Sequence, residues 1–136
     1  PSRLVDGPSG WEDRGVGDMI DRHQYPGPGM YPAQVDRINV LGEFGGLGLP
    51  VAGHLWQEVE NWGYRTYQTP EELAEQYIKL MKKLPTLIQH GLCAAIYTQW
   101  TDVETEVNGL LTYDRRVAKL NAETMAAVHR KIIESV

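Results

Sequence analysis

The chain has 136 residues, 42% of them hydrophobic and 23% charged, which is the balance of a folded domain with a core and not of a disordered segment. Its net charge of −5, with no Lys/Arg cluster, excludes the basic footprint that nucleic acid or an anionic membrane surface requires. One cysteine allows neither an intrachain disulfide nor a cysteine zinc site, and no stretch approaches the about 18 consecutive apolar residues of a membrane helix.

In chain order, residues 1–35 are rich in Gly and Pro but hold two short apolar runs, Arg3 to Val5 and Asp18 to Ile20. Both read as short strands feeding long loops. A third run, Arg37 to Glu43, ends in Phe44-Gly45-Gly46-Leu47-Gly48, where glycine lets the backbone turn sharply. Thr69-Pro70-Glu71-Glu72 specifies a helix start: Thr69 caps, Pro70 suits the first helical position and Glu72 completes a capping box. Leu73, Tyr77, Leu80, Met81, Leu84, Leu87 and Ile88 then recur every three or four residues as one apolar face. Pro85 should kink or split that helix, and Gly91 should stop it. Leu92 to Thr98 is a fourth strand, in which Cys93 reads as a small buried residue. A last helix opens at Asn121 and carries Met125, Val128, Ile132 and Ile133 on one side.

Apolar strands separated by amphipathic helices indicate an α/β fold of parallel strands, although no helix is evident between the first two runs. In such folds ligands bind at the carboxyl ends of the strands. Those positions hold Ser9 and Trp11, then His23 and Tyr25, then Glu43, and finally Gln99, Trp100, Asp102 and Glu104. Carboxylates beside aromatic rings suit a sugar, whose C–H face stacks on rings and whose hydroxyls need charged or amide partners. Each residue also has a plainer role: Glu43 as a turn residue, His23 as a hydrogen-bonded structural histidine, the aromatics as packing, and Asp102 and Glu104 as capping or solvated charges. Gly42 to Gly48 matches neither nucleotide-binding glycine pattern, and His23, Glu43 and Asp102 lack the local spacing of a metal motif, so no cofactor or metal is implied.

Taken together, the segments Arg3 to Trp11, Asp18 to Pro26, Val40 to Gly46, Tyr97 to Glu104 and Asn108 to Arg115 resemble strands five to eight of the catalytic barrel of glycoside hydrolase family 2. That family includes β-galactosidases, β-glucuronidases and β-mannosidases. The resemblance implies the C-terminal half of a (β/α)8 TIM barrel across residues 1–136. It implies Glu43 as the retaining nucleophile and Tyr25 as the hydroxyl that holds it ionised and aimed. His23, Trp11 and Trp100 would line the sugar site, and Asp102, grouped with them as substrate-binding, would face the substrate pocket or support it. The expected partners are a carbohydrate substrate, in the first instance a β-galactoside, and the remainder of a parent polypeptide or a second half-barrel.

The chain departs from the family pattern in two respects. Thr98 occupies the position where several members carry a tryptophan platform, with Trp100 two residues on. The family's acid/base glutamate lies in an Asn-Glu pair after the fourth barrel strand, and no Asn-Glu dipeptide occurs here. With Pro1 at its start, the chain reads as a piece of a longer protein carrying half an active site. A non-catalytic carbohydrate-binding or assembly module and a metal-dependent barrel hydrolase are the competing expectations.

Overall fold

The computed structural model describes residues 2–7 and 10–135; Ser9 lies outside them. Its centre is a parallel three-stranded sheet of β1 (Met19–Gln24), β2 (Ile38–Gly45) and β5 (Leu92–Thr98), in the order β1-β2-β5. Two-residue strands β3 (Leu47–Gly48) and β4 (Arg65–Thr66) form a separate parallel pair. Helices α1 (Pro70–Met81) and α2 (Leu84–Gln89) precede β5, and α3 (Ala122–Ile133) follows it.

This corrects the expected half of a (β/α)8 barrel, which required four successive parallel strands alternating with helices. The run Arg3 to Val5 forms no strand. It is irregular and exposed, with Leu4 59% and Val5 52% accessible. Asp18 holds it instead: the Asp18 N–H donates to the Val5 carbonyl at 2.7 Å, and the Val5 N–H donates to Asp18 Oδ2 at 2.8 Å. The neighbouring bridge, Asp6 to Gly17, is antiparallel, the wrong direction for a barrel strand. The crossover from β1 to β2 has no helix either, and its prolines at 26, 28 and 32 cannot donate helical hydrogen bonds.

The helices form where their sequence signals lie. The Thr69 hydroxyl accepts the Glu72 N–H at 3.2 Å, and the Gln68 N–H donates to Glu72 Oε2 at 3.0 Å, which closes the reciprocal cap. Leu73, Tyr77, Leu80 and Met81 bury the predicted face of α1 against Leu41, Phe44, Leu47, Leu49 and Leu92. The helix ends at Met81 and resumes at Leu84, with Pro85 in the first turn of α2 where its missing N–H is harmless. Asn121 caps α3 by accepting the Thr124 N–H at 2.9 Å.

Burial corrects one further reading. Cys93 is exposed. Within the described sheet β5 pairs only with β2, and residues 93–96 of β5 are all exposed.

Candidate active site

Three parallel strands end on one side of the sheet, and the register aligns their last residues. His23 pairs with Glu43, Gln24 with Phe44, and Phe44 with Tyr97. Arg22 pairs with Leu41, so Gly42 is an extra residue in β2, a bulge of the kind that re-aims a side chain. The Gly42 N–H leaves the ladder and donates to Asp21 Oδ1 at 2.6 Å. A Cβ at Gly42 would collide with the Asp21 carboxylate, which explains the glycine.

Glu43 emerges from this bulge with a side chain 39% exposed. The Tyr25 hydroxyl donates to Glu43 Oε2 at 2.6 Å, the short distance of a charge-assisted bond. Burial and the bond to Glu43 push the Tyr25 pKa well above its ordinary value, with a Thr98 hydrogen bond working the other way. The phenol therefore stays a donor. His23 Nδ1 lies 3.2 Å from the same Glu43 oxygen, and Nε2 lies 3.2 Å from Asp21 Oδ2. The Nδ1 contact is close but misaligned, which leaves that buried nitrogen without a hydrogen bond among the described residues.

The loop before β1 seals the far side of His23. The His23 N–H donates to the Gly10 carbonyl at 2.7 Å, and Gly10, at φ +88°, presents bare backbone to the imidazole where a Cβ would overlap the ring. Trp11 then crosses His23 edge-on at 5.5 Å and stacks beside Tyr25 at 6.1 Å. The bidentate pair from Arg37 to Asp13, at 2.8 and 2.9 Å, fastens this loop to the start of β2. Tyr64 also stacks on Tyr25, with centroids 3.7 Å apart and planes 1° apart. Gly46 makes room for both rings, since a Cβ there would overlap the pair.

The structure thus gathers Trp11, His23, Tyr25 and Glu43, but two expected members lie elsewhere. Asp102 is 3% exposed, and its Oδ1 accepts Lys119 Nζ at 2.6 Å and the Gly109 N–H at 2.8 Å, a buried ion pair beneath the loop after β5. Desolvation raises the Asp102 pKa and lowers that of Lys119, while their mutual attraction opposes both shifts. Trp100 is 76% exposed and lines an apolar groove with Tyr97, Met125 and Ile133, in none of the aromatic contacts around Tyr25. Asp21 and Tyr64 belong to the site and were not anticipated from sequence. The signal for Asp21 was an acidic residue directly after the apolar pair Met19-Ile20 of β1.

Chemically, the arrangement offers a half-exposed carboxylate with one oxygen held by a phenol and flanked by rings. Among the described residues no three His, Cys, Asp or Glu side chains are grouped to hold a metal ion, and no helix is long and apolar enough to cross a membrane. No family model matches the chain, and no curated protein matches it at a significant level.

Proposed function

We propose that Glu43 is the nucleophile of a retaining glycoside hydrolase site acting on β-galactoside-type sugars, similar to that of family 2, and that this chain supplies the nucleophile's side of it. The observation that supports this most is the 2.6 Å bond from the Tyr25 hydroxyl to Glu43 Oε2. The bond occupies one carboxylate oxygen and leaves the other to attack the anomeric carbon. The glycosyl–enzyme ester that forms is then hydrolysed by water. The acid that protonates the leaving oxygen, and later deprotonates that water, is a second carboxylate about 5 to 5.5 Å away in retaining enzymes, and this reading places it outside residues 1–136. His23, locked between Asp21, Gly10 and Trp11, lines the sugar site, and Trp11 offers a stacking face.

A 2-deoxy-2-fluoro-β-galactosyl fluoride tests this directly, because fluoride leaves without protonation and the missing acid does not matter. The chain should gain the mass of one fluorosugar, on the peptide containing Glu43. Labelling on another carboxylate, or equal labelling of Glu43→Gln, would overturn the assignment.

The exposed rings around Tyr25 also favour a second reading, a carbohydrate-binding module without catalysis. Saturable galactoside binding together with a complete absence of Glu43 labelling would select it.

A further inference from the structure

The row of rings continues past Tyr25. Trp62 meets Tyr64 edge-on at 5.6 Å, and both residues remain 44% exposed despite their size. Their segment is rigidly mounted: β4 follows directly and pairs with β3, the Trp62 N–H donates to the Thr105 carbonyl, and the Val107 N–H donates to the Trp62 carbonyl, each at 2.8 Å. These last two bonds set Trp62 opposite Glu106 in a parallel bridge.

Glu106 is braced from one side only. Its Oε1 accepts Asn108 Nδ2 at 2.9 Å, and the fully buried Asn108 is itself held by Gln99 Nε2 at 2.8 Å. Among the described residues Oε2 carries no hydrogen bond. Tyr64 lies within the influence of two carboxylates, since after burial it is the charges of Glu106 and Glu43 that raise its phenol pKa.

We propose that Trp62, Tyr64 and Glu106 form a further sugar subsite adjoining Glu43, which holds the next pyranose ring of an oligosaccharide. This rests on the reading of Glu43 as a glycosidase nucleophile. A pyranose has an apolar C–H face and a rim of hydroxyl donors, and this site matches both with an exposed ring pair and an acceptor of fixed direction. Rings that served packing alone would be expected to lie deeper, as Phe44 and Tyr77 do at 1% and 2% exposure.

Calorimetric titration with galactose and with β-1,4-galactobiose tests the subsite. The chain should bind the disaccharide at least about tenfold more tightly than the monosaccharide, a difference of about 1.4 kcal/mol. Trp62→Ala and the shape-preserving Glu106→Gln should each collapse that ratio toward one, with circular dichroism confirming the fold. Equal affinities for the two sugars in the unaltered chain, a ratio that survives both substitutions, or no binding of either sugar would overturn the proposal. Fluorosugar labelling of Glu43 separates the two readings: labelling without a disaccharide preference sinks the subsite alone, and a Trp62-dependent preference without labelling sinks the nucleophile alone.

Discussion

At the scale of single residues, the contact that matters most is the Tyr25 hydroxyl on Glu43. A hydrogen bond to a charged group contributes about 1.5 to 3 kcal/mol, so Tyr25→Phe should slow fluorosugar labelling of Glu43 by about ten- to a hundredfold. Because the phenol pKa lies well above its usual value, ionisation of Tyr25 should leave no inflection in the labelling rate between neutral and mildly alkaline pH. A rate equal to that of the unaltered chain would reduce Tyr25 to packing between Trp11 and Tyr64. The grouping of His23, Tyr25 and Glu43 was legible in the sequence because they come shortly after the apolar residues of two strands. Asp21 and the Gly42 bulge were not, since a bulge is a property of two strands in register and the register is invisible in either strand alone. Tyr64 was hidden for a related reason: it reaches Tyr25 only because β4 pairs with β3, strands of two residues each that leave no periodic signal.

Among the elements, α1, α3 and β5 formed where their caps and apolar periodicities lie, because those signals are local. The run Arg3 to Val5 failed because three residues, only two of them apolar, do not make a strand without a partner, and Asp18 takes up the hydrogen bonds a partner would supply. The ion pair of Asp102 was hidden for the opposite reason. Its counter-ion lies 17 residues away, at a distance along the chain that carries no pattern. The loop after β5 is built around this pair, with Lys119 Nζ also donating to the Val107 carbonyl at 2.9 Å. Removing one partner of a buried pair strands the other charge, at a cost of about 3 to 5 kcal/mol, whereas removing both costs far less. Lys119→Met should therefore lower the thermal midpoint sharply, and adding Asp102→Asn should recover much of the loss. Additive losses in the double variant would show that each side chain contributes through its other contacts and not through the ion pair.

For the whole molecule, the decisive feature is an unequal pair of sheet edges. The outer edge of β1 is partly closed by the N-terminal loop, through Val5 to Asp18 and Gly10 to His23. The outer edge of β5 has no strand partner among the described residues, and Ile96 on it is 56% exposed. Alongside runs a groove of about 480 Å³ lined by Phe44, Tyr77, Met125 and Ile132. The amphipathic face of α3 only half closes it, leaving Trp100 76% and Ile133 71% exposed. A bare edge next to apolar surface favours association, and a charge placed on the edge is the usual remedy. The isolated chain should accordingly show a mass by light scattering that rises with concentration, and Ile96→Lys should shift it toward the monomer. A monomer across the whole concentration range would refute this. Under the proposed mechanism association should not create turnover, because two copies of Glu43 would supply two attacking carboxylates, and a retaining mechanism needs a protonated acid opposite the attacking carboxylate. Aryl-galactoside hydrolysis measured on the same samples should stay at background, and turnover that disappears in Glu43→Gln would show that the acid lies within these 136 residues after all.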